Sequence, residues 1–287
     1  MTSRQAGGRD IVVGVDPDRD WHLALAWAAD EAQRRRLPLR LVLAVPPQHD
    51  TRHVDGTPGE TALRQAGSDR LEQACNWVRG RHPEVGVTGD LLGGFPTPVL
   101  GGAAREARMI VLGSRHLSRT AEFFSAGSLV VPVTAQARCP VVVVGDAEHI
   151  SQQPPYVVAG IDGSSSATAA LALAFDEADL RGAALRVVCV WQPPLIMLDD
   201  EEVALRAQRT LLSEATTGLS EKYPDVHVRH EVLTGHPVEE LARAAEHALS
   251  VVVGRRGSGG YTGMRIGSVV HGLLHRAHCP VITVPTG

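Results

Sequence analysis

The sequence reads as an α/β protein made of two tandem doubly wound domains, each around a five-stranded parallel sheet. Three observations carry that reading. The 287 residues exceed one ordinary domain of roughly 100–200 residues. A set of short blocks recurs in the same order about halfway along the chain. Within each copy, valine- and leucine-rich runs alternate with segments of helical period.

The repeat is explicit. Ile11-Val-Val-Gly-Val-Asp16 matches Val157-Val-Ala-Gly-Ile-Asp162 at an offset of 146. Leu91–Pro96 matches Val232–Pro237, and Ile110–Gly113 matches Val251–Gly254, both at 141. Gly127-Ser128 matches Gly267-Ser268, and Cys139-Pro140 matches Cys279-Pro280, both at 140. These matches place the domains at residues 1–147 and 154–287. The joint, near Gly145–Pro155, is polar and ends in two prolines, which favour extended chain.

In the second copy Tyr156–Ile161 is the first strand. Ala167–Leu180 carries Leu171, Ala174, Phe175 and Ala178 at helical spacing. Leu185–Val190 is the second strand and Val203–Leu219 the second helix. Val226–Val232 alternates as a third strand. Val238–Ala248 is helical, Leu249–Val253 is the fourth strand, Ser268–Arg276 the last helix and Val281–Val284 the fifth strand. The first copy repeats the order, with strands at Ile11–Val15, Leu39–Val45, Val85–Leu91, Met109–Leu112 and Val141–Val144. Apolar runs without polar alternation need cover on both faces, as in a parallel sheet. Right-handed crossovers then distribute the helices over those faces.

Composition narrows the function. Hydrophobic residues at 44% and charged residues at 21% are ordinary for a globular domain. A net charge of −4 argues against a nucleic-acid partner. No apolar run reaches the ~20 residues of a membrane span, and no signal peptide opens the chain, so a cytoplasmic protein is expected. Cys75, Cys139, Cys189 and Cys279 form no CxxC pair and read as buried small hydrophobes. The sole lysine, Lys222, lies in Glu-Lys-Tyr, so no Walker A motif exists. A phosphate would have to be held by backbone N–H groups and arginine.

In an open parallel sheet, ligands sit beyond the carboxyl ends of the strands where the winding reverses. After the fourth strand of copy two, residues 254–268 hold six glycines in fifteen positions. Glycine admits close approach of a ligand to backbone. Gly267-Ser268 then opens a helix whose first N–H groups favour an anion. Asp162, ending the first strand, is a polar group at the same end. The bland reading of these residues is a surface loop with a serine cap, and a turn aspartate before a helix.

The spacing Gly254-x2-Gly257-x9-Gly267-Ser268, with Asp162-Gly-Ser and Cys279-Pro280-Val-Ile-Thr-Val, resembles the nucleotide-binding signature of the universal stress proteins. The resemblance covers nearly the whole chain, twice, as in the tandem type. It implies a Rossmann-like, adenine nucleotide alpha hydrolase-like fold with ATP, alone or with Mg2+, in the cleft of strands one and four. Carried over by position, Asp162 and Val190 flank the adenine. Gly254, Gly257, Gly267 and Ser268 hold ribose and phosphates, and Val269 donates its backbone N–H. Gly160 keeps the strand-one end clear. Among Arg255, Arg256 and Arg265, Arg256 is the arginine assigned to phosphate.

In copy one, Gly14, Asp16, Gly113, Gly127 and Ser128 fill the same places, but the motif is altered. His116 replaces the second glycine, the spacing to Gly127 is one residue longer, and the strand-one turn reads Asp16-Pro-Asp-Arg-Asp, with Asp18 and Asp20. Pro132 falls in the next helix and is expected to remove one of its hydrogen bonds. Copy one is expected to bind nucleotide weakly, differently or not at all.

The loops lack a Walker lysine and a water-orienting carboxylate, and GxSxG, HRD and DFG are missing. The expectation is an ATP-binding regulator or sensor of the stress response with little or no hydrolysis, not an enzyme, acting through a regulatory protein partner. Two alternatives stay open: a flavin- or adenylate-dependent enzyme on a similar fold, and a scaffold with a vestigial site. No catalytic residue or metal ligand is assigned. His271 and His275 lack the carboxylate of HExxH, and Glu239, Glu240 and Glu246 read as solvated helix faces. A homodimer or pseudo-dimeric monomer is expected, pairing through the fifth strands that follow Cys139-Pro140 and Cys279-Pro280, which the family topology places at a sheet edge.

Overall fold

Valine and leucine at successive positions have no face to offer to water, and the strands they form are accordingly buried on both sides. Ile11, Val12, Val13, Val157, Val158, Val251 and Val252 are all fully buried. The computed structural model describes residues 10–17, 21–47, 58–114, 129–145, 149–193, 201–258 and 266–286. They fall into two compact units, Met1–Asp146 and Ala147–Gly287.

The first unit runs β1 (Ile11–Gly14), α1 (His22–Arg35), β2 (Leu39–Val45), α2 (Pro58–Arg81), β3 (Val87–Gly93), α3 (Pro96–Ala103), β4 (Met109–Ser114), α4 (Val130–Gln136) and β5 (Val141–Gly145). Its strand order is β3-β2-β1-β4-β5, with parallel neighbours. The second unit runs β6 (Tyr156–Gly160), α5 (Ser165–Arg181), β7 (Ala184–Trp191), α6 (Glu201–Lys222), β8 (Val228–Thr234), α7 (Pro237–Ala244), β9 (Ser250–Gly254), α8 (Ser268–Arg276) and β10 (Val281–Val284). Its order, β8-β7-β6-β9-β10, is the same and again parallel. Within each unit the first two helices pack together, as do the last two. Right-handed crossovers put those pairs on opposite faces, the doubly wound arrangement.

The repeat extends to interactions that no short motif displays. Glu31 with Arg35, and Glu177 with Arg181, form i,i+4 ion pairs whose carboxylates are fully buried. Arg40 pairs with Asp90 at 3.7 Å and Arg186 with Glu231 at 2.7 Å, each across the second and third strands of its unit. The chain leaves α1 through Arg36 at φ 54° and leaves α5 through Gly182 at φ 56°, each donating its N–H to the last turn.

Three sequence expectations are corrected. The third strands start at Val87 and Val228 rather than Val85 and Val226. Val85 and Val226 are buried, but their N–H groups close turns onto His82 and Tyr223, so hydrophobicity there reflects a plug under the turn and not a strand. Helix α7 stops at Ala244 because the next residues turn tightly, with Ala248 bonding Ala245. Pro132 is the third residue of α4, where an N–H has no intrahelical acceptor. The first bond there is Val133 to Leu129, so Pro132 removes none.

All four cysteines are free and buried. Burial pushes the Cys139 and Cys279 thiols up to about 12 and Cys189 to about 11, which makes them packing residues rather than nucleophiles. Among the described residues no helix is long and apolar enough to cross a membrane.

Candidate functional site

The winding of the second unit reverses between β6 and β9, so the chain diverges there and leaves a cleft at their carboxyl ends. Beyond Gly160, Ile161 still bonds Val188 at 2.9 Å. Asp162 follows, and Gly163 takes φ +77°, a conformation L side chains rarely adopt. The turn delivers Ser164 to the N-cap of α5, where its Oγ accepts the Ala167 N–H at 3.2 Å. Across the cleft β9 ends at Gly254, and Arg255 N–H bonds the Val284 carbonyl at 2.7 Å. Gly267 N–H returns to the Arg255 carbonyl at 2.9 Å, which joins the two described ends of the glycine loop.

The loop is tied to the strand-one turn by a closed network. Asp162 accepts the Ser164 N–H on Oδ1 at 3.1 Å and the Ser258 N–H on Oδ2 at 2.6 Å. The Arg256 carbonyl accepts Ser164 Oγ at 3.3 Å and also Ser166 Oγ. Arg256 N–H donates to Ser166 Oγ at 3.3 Å.

The glycines are dictated by this closeness. A Cβ on Gly254 would overlap Ser166 Oγ and lie 2.8 Å from the Ala167 backbone nitrogen. One on Gly257 would lie 2.5 Å from Asp162 Oδ2. Gly267, whose Cβ would meet Arg255 O at 3.4 Å, is the N-cap of α8 and places no side-chain cap on its first turn. Ser268 is thus the first helical residue and not the cap, contrary to the bland sequence reading.

The structure therefore brings Asp162, Gly254, Arg256, Gly257, Gly267, Ser268 and Val269 to one end of the second unit. Val190 lies near the end of β7, opposite Leu233, and is half-buried. Gly160 serves differently from the expectation. The room it leaves is taken by Val253 and Leu241, 3.0 and 3.1 Å from where its Cβ would be, so it accommodates packing rather than an open strand end. Ser166 and Ser258 belong to no motif of the sequence, unlike Ser164 of Asp162-Gly-Ser. The run of three serines after Asp162-Gly was the available signal, but its partner is a backbone group 90 residues away.

Burial, and then the like charge of Arg256, lower the Arg255 guanidinium below its ordinary value. Burial raises the Cys189 thiol, and the Asp162 charge adds to it. On α8 the His271 and His275 rings lie 4.8 Å apart, and burial followed by His271 lowers His275. Among the described residues no group of three or more His, Cys, Asp or Glu side chains is placed to hold a metal.

The first unit is built differently at the matching place. A Cβ on Gly14 would meet Leu112 at 2.9 Å, as on its counterpart Gly160. Among the described residues, a Cβ on Gly113 would meet Ala24 of α1 at 3.7 Å, an ordinary contact, unlike the overlap at Gly254. Asp16 ends the first strand's extension, and α1 has Trp21 as N-cap with no side-chain bond. Gly127 and Ser128 lie outside the described residues, as do His116, Asp18, Asp20 and Arg265.

Comparison with known proteins converges on one group. The profile described as "Universal stress protein family" matches residues 8–145 and again 156–285. A universal stress protein of Mycobacterium tuberculosis is 34% identical over 284 residues, covering 95% of each chain. A second from that organism is 32% identical over 283 residues, again covering 95% of each. The crystal structure of a universal stress protein from Archaeoglobus fulgidus shares the fold, with a TM-score of 0.73 at 17% identity over 98% of this chain and 97% of that one.

Proposed function

This chain belongs to the universal stress protein family, and from that premise we propose that its second unit binds ATP and acts through occupancy rather than turnover. The observation that carries the reading is the uncapped first turn of α8 beside Arg255–Gly257. Backbone N–H groups at a helix start, with the arginines of the adjoining loop, suit a polyphosphate without a lysine. The N–H groups of Ser268 and Val269, with Arg256, would hold the phosphates, and Val190 and Asp162 would border the base and ribose. Gly254 and Gly257 let the loop and the strand-one turn pack against each other, which fixes the loop backbone beside the helix start.

Chemistry is not part of the reading. Both oxygens of Asp162 already accept backbone N–H groups, which leaves it ill-suited to orient an attacking water. Regulation then requires a protein partner that prefers the occupied or the empty state. Calorimetric titration of ATP into the full chain is expected to show one site per chain, lost in the Gly257→Ala, Gly267→Ala double variant. Undiminished affinity in that variant would place the site elsewhere. Turnover faster than about 1 s⁻¹, the ordinary enzyme range, would overturn the occupancy reading.

A further inference from the structure

We propose that Ser166 is a positioning residue for the nucleotide site; this rests on the nucleotide reading of the second unit. Ser166 is the second residue of α5 and only 1% exposed. A hydroxyl so buried needs partners, and both of its partners belong to one residue. It accepts the Arg256 N–H at 3.3 Å and donates to the Arg256 carbonyl. Ser164 adds a second donor to that carbonyl at 3.3 Å, and Asp162 holds the following Ser258 N–H at 2.6 Å. The peptide groups on either side of Arg256 are thus both tied to the start of α5, and Gly257 is held between them and Asp162.

The consequence is energetic. A glycine-bearing loop free in solution would have to surrender backbone freedom on binding. A loop already pinned avoids that cost, and affinity rises accordingly. The close approach depends on Gly254, whose missing side chain lets the first turn of α5 sit on the strand end.

The test compares the full chain with Ser166→Ala and Ser166→Asp. Alanine suits a helix start, so the fold is kept. Residue-resolved amide exchange is measured without nucleotide, and ATP affinity by titration. Ser166→Ala is expected to speed exchange at the Arg256 amide and to weaken ATP binding, each by roughly five- to tenfold, the effect of one neutral hydrogen bond. Ser166→Asp should weaken binding further. The Arg255 amide, bonded to Val284, is the internal control and should not change. Unchanged exchange at Arg256 in Ser166→Ala overturns the clasp, and faster exchange with unchanged ATP affinity overturns the positioning role. Faster exchange in a chain whose wild type binds no ATP supports the clasp and overturns the nucleotide reading instead.

Discussion

Gly254 and Gly113 occupy the same place in the repeat and carry different burdens. A Cβ at Gly254 would intrude on the Ser166 hydroxyl and on backbone at Ala167, whereas one at Gly113 meets ordinary contact with Ala24. Gly254→Ala is therefore expected to cost about 1–3 kcal/mol through overpacking, and Gly113→Ala no more than about 0.5 kcal/mol. Urea unfolding of the two variants checks this, and equal losses would mean that α5 does not press on β9 as described. The residues of the candidate site were unevenly legible. Gly254, Gly257 and Gly267 announce themselves by spacing, although a Cβ would overlap its neighbours only at the first two and would make ordinary contact at Gly267. Ser166 does not, because a serine at a helix start looks the same whether its hydroxyl faces water or a carbonyl 90 residues away.

At the level of elements, the two copies act as references for each other. Arg36 and Gly182 close equivalent helices in the left-handed region, at φ 54° and 56°. An L residue there costs roughly 1 kcal/mol that glycine does not. The Arg36 side chain is exposed, so little packing would be lost on removing it. Arg36→Gly is expected to raise stability by about 0.5–1 kcal/mol, read as a higher urea midpoint; a lower midpoint would show that the arginine side chain stabilises the cap. Strands were the most legible elements, since runs such as Val141–Val144 admit no exposed face. Ends were less so. Val85 and Val226 are as apolar as strand residues, yet their N–H groups belong to turns, and local hydrophobicity does not reveal hydrogen-bond partners.

For the whole molecule, duplication supplies two similar units and the proposal assigns nucleotide to one of them. A ligand that binds only folded protein stabilises it by about 2.7 kcal/mol when present at 100 times its dissociation constant. Scanning calorimetry with ATP is expected to raise the unfolding transition of the second unit and to leave that of the first in place. Equal upward shifts of both would show that the first unit binds as well, and no shift would remove the ligand from both. The repeat, the parallel doubly wound architecture and the glycine signature could all be read from residue order, because each rests on local pattern: periodicity, apolar runs and fixed spacing. The partners of Asp162 and Ser166, the packing role of Gly160 and the buried Glu31 and Glu177 ion pairs could not. Those depend on which side chains meet once distant segments pack, and burial with hydrogen-bond geometry is set by that meeting rather than by the order of residues along the chain.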